Sequence, residues 1–230
     1  MVMEKKKYIS FDTRIITELD NLGFKRKNKH WFIRQLSEDI IQTLIFGHNT
    51  HGQKHVRYYE VRTAIELPVV LKIANDLNIY TPMTALLSVN IGELMPKKEY
   101  LEWAIGVDTD KKHDNRVVDS MLYHIKKYAI PFLNKFSTTS AIVEGIKKRA
   151  FVGHYGDDLH ACIALLLYGS ADDFLWFVEK RSYEKQFLDI DSVGYWDYKN
   201  PTEPLNPFCK EFLDKVEALK PIMQTKGISW

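Results

Sequence analysis

Hydrophobic residues change their spacing along the chain, and this change predicts the fold class. Between residues 30 and 67, apolar residues fill two short runs and then alternate with polar residues, as in β-strands. After about residue 114 they recur every three to four positions, as on one side of a helix. Strands followed by helices predict an α+β fold rather than an α/β fold.

The N-terminal half is predicted to form an antiparallel sheet of about five to six strands, packed with helices. The segment 56–67 alternates most clearly, with Tyr59 and Val61 on one face and Glu60 and Arg62 on the other. Such alternation is typical of a strand with one buried face. The predicted strands cover residues 24–29, 30–36, 39–46, 56–67, 85–91 and 101–107.

The C-terminal half is predicted to be mostly helical. Its longest helix begins at Asp114 or Asn115 and is expected to end or kink at Pro131, because proline lacks an N–H and its ring clashes with the preceding turn. Ser170 and Asp173 are spaced as in a capping box. The predicted helices cover residues 9–22, 69–77, 114–132, 139–149 and 157–168, a segment after 170 and a segment from 206 to 219.

The composition fits one globular domain. The chain has 230 residues, of which 45% are hydrophobic and 27% charged, which excludes the disordered and coiled-coil classes. No clear linker separates residues 1–113, with the first helix and the sheet, from the helical residues 114–230. We therefore predict a single α+β domain over residues 1–230. The two cysteines, Cys162 and Cys209, cannot form a disulfide framework.

The sequence contains no secretory signal or membrane-span pattern. The basic N-terminus is not followed by an apolar stretch, and the longest apolar run, residues 161–168, has eight residues. A membrane span needs about 20 apolar residues. We therefore expect a cytoplasmic protein with reduced thiols and no membrane association.

Residues 22–67 carry a family resemblance. Residues 22–34 place Gly23 and Phe24 before a basic stretch and an aromatic strand, an Ile/Leu-rich strand follows, and residues 62–67 read Arg-Thr-Ala-Ile-Glu-Leu. This arrangement resembles the bacterial family of domain of unknown function 4304, and the helix ending at residues 128–136 is similar to that family's middle. The resemblance implies an α+β fold in a bacterial, cytoplasmic protein. The family has no established activity.

Short catalytic and cofactor-binding motifs are absent from the sequence. It contains no G-x-x-x-x-G-K-[ST], G-x-G-x-x-G, G-x-S-x-G or H-E-x-x-H. The sequence therefore gives no support for four enzyme classes, namely P-loop NTPases, dinucleotide-binding Rossmann enzymes, serine hydrolases with a nucleophile elbow, and zincins. We expect no cofactor. A hydrolase or metal-dependent enzyme stays an alternative if dispersed residues such as Asp108 and His154 converge in the fold.

Three histidines, His48, His51 and His55, lie within eight residues between two predicted strands. Imidazoles at this spacing can share a metal ion when the loop folds back. The loop holds no Cys, Asp or Glu to complete the ligand set. A solvated hairpin loop is therefore the favoured interpretation, with a metal site as the alternative.

The N-terminal segment is basic although the whole chain has a net charge of only +2. Residues 1–34 contain nine Lys and Arg against four Asp and Glu, a charge of +5. Within residues 24–34, cations such as Lys25 and Arg26 alternate with aromatic residues such as Trp31, which is a pattern that suits single-stranded nucleic acid. The favoured interpretation is a sheet with its aromatic residues in the core and its lysines protecting an edge strand, or simply a charged hairpin turn, and nucleic-acid binding is the alternative.

A non-enzymatic protein that binds a protein partner is the favoured function. Tyr195, Trp196 and Tyr198 form an aromatic and acidic loop, and exposed aromatic residues are typical binding anchors. For Trp196 itself, burial against the last helix is the favoured interpretation and partner binding is the alternative. An immunity-type role against a toxin is one concrete form of this hypothesis, by analogy with small bacterial interaction domains.

Overall fold

The computed structural model describes residues 11–77, 87–106, 111–148, 158–186 and 207–229. Their contacts divide the chain into two compact units. Among the described residues, the first unit contains 11–66, 87–106 and 111–137, and the second contains 67–77, 138–148, 158–186 and 207–229. The first unit holds the sheet and the second is helical.

The strands of the first unit form one antiparallel sheet, as predicted. Five strands follow in chain order from β1 to β5, and the sixth pairs with the opposite end of the fourth. They are β1 (Lys25–Arg26), β2 (Trp31–Gln35), β3 (Ile41–Asn49), β4 (Arg57–Glu66), β5 (Leu87–Asn90) and β6 (Trp103–Ile105).

Helices occupy both units, with most of them in the C-terminal half, so the predicted α+β class is confirmed. Across the described ranges they are α1 (Phe11–Asn21), α2 (Pro68–Asp76), a 3-10 helix (Ile91–Leu94), α3 (Lys111–His124), a π-helical segment (Ile125–Ala129), α4 (Ile130–Lys135), α5 (Thr139–Lys147), α6 (Asp158–Tyr168), α7 (Ala171–Gln186), α8 (Pro207–Glu217) and α9 (Lys220–Thr225). Among the described residues, no helix is long and apolar enough to cross a membrane.

The sheet has two faces, which we call the helix-packed face and the opposite face. On the helix-packed face, Leu44, Phe46 and Val61 are buried. The Gln42 amide on this face donates to the Leu133 carbonyl of α4 at 2.6 Å, and the Trp103 indole donates to Ser120 of α3 at 3.2 Å. These bonds satisfy polar groups where sheet and helices meet.

Gly23 directly follows the last apolar residue of the first predicted helix, a position where a glycine C-cap is expected, and the structure confirms that cap. Gly23 has a φ of +83°, a conformation that costs glycine little because it has no Cβ. The Phe24 N–H then donates to the Leu19 carbonyl at 2.9 Å, which closes the helix end. Phe24 is 1% exposed, so the turn directs an aromatic ring into the core.

The long helix continues through Pro131 instead of ending there. The π-helical segment ends at Ala129, two residues before Pro131, and the Ile130 N–H donates to the Ile125 carbonyl, five residues earlier. Proline interrupts the regular bonding of an α-helix, and a π segment is one way to absorb the interruption. The sequence identified the position of the irregularity but not its form.

The second unit contains helix caps that the sequence predicted and one helix that it did not. Ser170 and Asp173 form the predicted capping box, with reciprocal bonds of 3.1 Å between backbone N–H groups and side-chain oxygens. Helix α8 was expected to run to Leu219 as the last helix, but the chain turns there and forms α9. The apolar spacing continues unbroken through Leu219 to Met223. The only sequence signal for a new helix was therefore Pro221, which lies in the first turn of α9.

Candidate functional site

A cavity of about 220 Å³ opens on the opposite face of the sheet. Strand alternation places Glu60 and Arg62 of β4 on this face, and the pairing of β4 with β5 sets Asn90 beside Arg62. The cavity lies wholly within the first unit. It is lined by Glu60, Arg62, Ser88, Asn90, Glu93, Glu99 and Tyr100.

Gly47 makes room for one wall of this cavity. It lies opposite Glu60 in the β3–β4 register. A Cβ at Gly47 would lie 2.7 Å from Glu60 Oε1 and 2.9 Å from its Cγ. The missing side chain therefore lets the Glu60 carboxylate lie across the neighbouring strand.

The other wall is formed by the 3-10 helix and the segment that follows it. The Asn90 Oδ1 accepts from the Gly92 N–H at 2.9 Å and caps this helix. A Cβ at Gly92 would lie 1.9 Å from the Glu99 carbonyl oxygen, so the two backbone stretches touch. This close approach brings Glu93 and Glu99 to the same cavity.

The cavity has more negative than positive charge. Arg62 Nη2 lies 2.9 Å from Glu60 Oε1, and the Asn90 amide lies 3.5 Å from the second oxygen of Glu60. Glu93 and Glu99 form no ion pair with any other described residue. Arg62 Nε is buried and has no hydrogen-bond partner among the described residues. One guanidinium thus faces three carboxylates.

A chain of hydrogen bonds joins the rim of the cavity to the β3–β4 hairpin. The Tyr100 hydroxyl donates to Glu102 Oε1 at 2.5 Å, and His51 Nε2 lies 3.1 Å from Glu102 Oε2. The bond to the carboxylate, followed by desolvation, raises the pKa of Tyr100 to about 12, since ionisation would lose that bond. His51 has a φ of 44°, which is uncommon outside glycine.

The three predicted metal-binding histidines point to different surroundings. His48 stacks on His30, His51 contacts Glu102, and His55 is exposed. Within the described ranges, no three His, Cys, Asp or Glu side chains are grouped so that they could hold a metal ion. Asp108 and His154, the other residues named for the enzyme alternative, lie outside the described residues.

The basic segment 24–34 has two of its three aromatic rings in the core. Phe24 and Phe32 are buried, which leaves Trp31 half-buried on the opposite face with Lys27 over its ring at 5.5 Å. The nucleic-acid alternative required these aromatic rings for stacking, and buried rings cannot contact a nucleic acid.

The two named cations of this segment have local contacts. Lys25 pairs with Asp20, and the Arg26 Nε donates to the Asn28 carbonyl at 3.1 Å. Both side chains are exposed. These contacts fit the favoured interpretation of a charged hairpin, in which the cations protect an edge strand.

The predicted aromatic anchors Tyr195, Trp196 and Tyr198 lie outside the described residues. Their part in partner binding stays a prediction. The two cysteines, Cys162 and Cys209, are buried in the second unit and are not joined in a disulfide.

Sequence reasoning did not single out the cavity. Its only signal was the alternation in 56–67, which correctly placed Glu60 and Arg62 together on the more polar face. No strand or helix periodicity predicted Glu93 and Glu99. They reach the cavity because Gly92 lies in contact with the Glu99 carbonyl. The chain matched no family model, no curated protein and no solved structure.

Proposed function

We propose that this chain is a non-enzymatic binding protein that recognises a basic side chain of a protein partner in the cavity on the opposite face of the sheet. The observation that carries the proposal is the charge balance of the cavity, in which Glu93 and Glu99 add two carboxylates to the Glu60–Arg62 pair. A cationic group between Glu93 and Glu99 would be attracted by both.

The size of the cavity supports a single side chain as the occupant. Small-molecule sites commonly enclose about 300–1,000 Å³, whereas this cavity measures about 220 Å³. A Lys or Arg side chain fits such a volume and leaves its backbone on the rim. The fixed pair of Glu60 and Arg62 would also hydrogen-bond polar groups beside the cation.

Half-exposed apolar side chains on the same face would supply the remaining contact. Trp31 pairs with Ile45, and Ile45 pairs with Arg62 of β4. Tyr58 is the next residue after Glu60 on the same face of β4. Aromatic residues beside a desolvated charge pair are the usual centres of protein interfaces. An exposed ion pair alone is worth about 0–1 kcal/mol, so the apolar contact is needed for affinity.

The concrete version that we favour is an immunity-type role, in which the partner is a cationic toxin. This version rests on analogy and on the bacterial setting that the family resemblance implies. It adds one requirement, namely that the toxin presents a Lys or Arg that the cavity can hold.

A charged peptide provides the test of the cavity without knowledge of the partner. Fluorescently labelled hexalysine is titrated against the full chain at low ionic strength, with hexaglutamate as the opposite-charge control. We expect binding of hexalysine only, weakened about tenfold or more in the double variant Glu93→Gln/Glu99→Gln, which removes both unpaired carboxylates.

Glu38→Gln is the matched control, because it removes an exposed carboxylate from the β2–β3 turn. It should leave hexalysine affinity within twofold of the parent chain. Equal weakening by Glu38→Gln and by the double variant would mean that overall charge, rather than the cavity, attracts the peptide. That result would overturn the proposal.

A further inference from the structure

Three ring side chains form a group at the hairpin end of the helix-packed face, away from the cavity. We call His30, His48 and Tyr59 the first ring group. The imidazoles of His30 and His48 are stacked, with centroids 5.1 Å apart and planes inclined by 18°. The Tyr59 ring lies 5.9 Å from that of His48. His48 is exposed and the other two are half-buried, so ring faces and edges reach the surface.

Backbone bonds hold this group in place. His30 precedes β2 and its Nδ1 lies 3.1 Å from the Phe46 carbonyl, which orients the ring beside β3. His48 and Tyr59 are direct cross-strand neighbours in the β3–β4 pairing. A site carried on paired strands needs little ordering when a ligand binds.

Positive charge is concentrated around the first ring group. Desolvation, followed by the charges of His30, Lys29 and Arg57, lowers the pKa of His48 below its usual value. The Arg57 Nη1 donates to the Val56 carbonyl at 3.1 Å, which keeps the guanidinium near the strand. Like charges held close together repel one another, and an anionic ligand would relieve that repulsion.

We propose that His30, His48 and Tyr59, together with Lys29 and Arg57, form a binding site for single-stranded nucleic acid. The ring group offers planar surfaces on which a base can stack, and the two cations lie where phosphates would follow. Segment 24–34 contributes Lys29 and His30 to this site, whereas its aromatic rings at Phe24 and Phe32 are buried.

A second ring group extends the surface along the helix. Tyr123, His124 and Tyr128 lie at the junction of α3 and the π-helical segment, with His124 5.3 Å from Tyr123 and 5.9 Å from Tyr128. Lys127 lies over both tyrosine rings, at 5.0 and 5.2 Å. Trp103, the cross-strand neighbour of Tyr59, packs edge-on against His124 at 5.7 Å and connects the two groups.

The repeated combination of rings and a cation favours a chain-like ligand over a single nucleotide. Each ring group has its own cation, Arg57 for the first and Lys127 for the second. A strand that crosses both would alternate stacked bases with phosphate contacts, as single-strand binding proteins do. π-Helical segments are frequent at functional sites, and here one carries Lys127 and Tyr128.

The direct test is fluorescence anisotropy with a labelled 15-nucleotide oligodeoxythymidylate, titrated with the full chain between 20 and 200 mM NaCl. We expect binding that weakens with salt, with a slope of about −0.7 in log K against log [salt] for each phosphate neutralised. Lys29→Gln and Arg57→Gln should each reduce the magnitude of the slope by about 0.7. Lys72→Gln, an exposed cation on α2, is the matched control and should leave the slope unchanged.

Stacking is separated from charge by two substitutions of one residue. His48→Ala removes the ring and should weaken binding about tenfold or more. His48→Phe keeps an aromatic surface and should restore most of that affinity at pH 8, where the parent imidazole is neutral. Circular dichroism and thermal unfolding of each variant exclude a loss of fold as the cause.

Acidification should strengthen binding to the parent chain. Phosphates stabilise the charged imidazolium form of histidine, so affinity for the oligonucleotide should rise as the pH falls from 8 to 5.5. Because the pKa of His48 is lowered from its usual value, part of that rise should occur below pH 6.5. His48 is faced by His30 and Lys29 from the β2 side and by Arg57 and Tyr59 from β4. The His48→Phe variant should show a smaller rise, because it lacks the imidazole that the phosphates would stabilise in its charged form.

Three results would overturn this inference. The first is no detectable binding of the oligonucleotide at 20 mM NaCl, and the second is unchanged affinity in both Arg57→Gln and His48→Ala. The third is binding of vesicles that contain anionic lipid, or of polyglutamate, with no binding of the oligonucleotide. That result would assign the cationic surface to a membrane or to an acidic protein instead.

Discussion

Two adjacent residues of β4, Tyr59 and Glu60, lie on opposite faces of the sheet and belong to surfaces of opposite charge. Glu60 lines the cavity with Glu93 and Glu99, whereas Tyr59 belongs to the first ring group near Lys29 and Arg57. Strand alternation separates the two surfaces, although they are only one residue apart in sequence. The net charge of +2 therefore conceals one acidic and one basic surface within the first unit.

The two surfaces also differ in how they are built. The cavity depends on two close approaches, of the Glu60 side chain to Gly47 and of the Glu99 backbone to Gly92. The backbone contact at Gly92 leaves no room for a Cβ. The first ring group depends on cross-strand neighbours and a single backbone contact of His30. The cavity should therefore be sensitive to small changes in backbone packing, while the ring group should tolerate them.

The largest expected effect comes from Gly92→Ala. The added Cβ would lie 1.9 Å from the Glu99 carbonyl, so the segment that carries Glu99 must move. We expect the free energy of unfolding, measured by urea denaturation, to fall by about 2–4 kcal/mol. Hexalysine binding should be lost, while oligonucleotide binding should persist.

Gly52→Ala is the control for that substitution. Gly52 has a φ of +79° but nothing within 4 Å of an added Cβ, so the change should cost only about 1 kcal/mol of backbone strain. Equal losses of stability in both variants would contradict the role of close packing at Gly92.

The next effect concerns the helix-packed face. Gln42 is fully buried, donates to the Leu133 carbonyl and accepts from Arg34 at 3.0 and 2.6 Å. Gln42→Leu would leave these groups without that partner and should lower the free energy of unfolding by about 2 kcal/mol. The same substitution at exposed Gln35 should change it by less than about 0.5 kcal/mol in the same urea titration.

A reciprocal experiment tests the independence of the two surfaces. The double variant Glu93→Gln/Glu99→Gln should lose hexalysine binding about tenfold and keep oligonucleotide affinity within about twofold. His48→Ala should do the opposite. A loss of both activities in either variant would show that the two surfaces are coupled.

The smallest effect is spectroscopic. The bond to Glu102 raises the pKa of Tyr100 to about 12, above that of a free phenol. The raised pKa means that the Tyr100 phenol holds its proton more tightly in the folded chain than in the unfolded chain. The hydrogen bond to Glu102 therefore contributes to stability below pH 10, and this contribution declines from pH 10 to 12. Absorbance at 295 nm should show one phenol that titrates late, and Tyr100→Phe should remove it.

A titration in which Tyr100→Phe removes a phenol with an ordinary pKa would contradict the hydrogen bond to Glu102. His51→Gln serves as the comparison. It disturbs the other side of the Glu102 carboxylate and leaves the donor at Tyr100 in place.

The sequence predicted the local elements well wherever the cause was local. The C-cap at Gly23 and the capping box of Ser170 and Asp173 are formed by residues within a few positions of one another, and both are present. The alternation in 56–67 placed Glu60 and Arg62 correctly. The break between α8 and α9 was missed, since the apolar spacing continues from Val216 through Leu219 to Met223.

The candidate residues illustrate the limit of this kind of prediction. His48 entered the alternative metal site because of its proximity in sequence to His51 and His55, yet its neighbours in the fold are His30 and Tyr59. The basic segment was named for its alternating rings and cations, yet the core contains Phe24 and Phe32. Sequence spacing identified residues with useful chemistry but not the groups that they join.

The sequence alone determined the α+β class, the strand order along the chain and the faces of β4, because periodicity and capping act over short distances. The tertiary structure decided which residues meet at each surface. Glu99 reaches the cavity through a backbone contact with Gly92, and His30 reaches His48 through the pairing of β2 with β3. Such contacts depend on strand register and on close packing between segments that are distant in sequence. Local sequence patterns do not encode either of these.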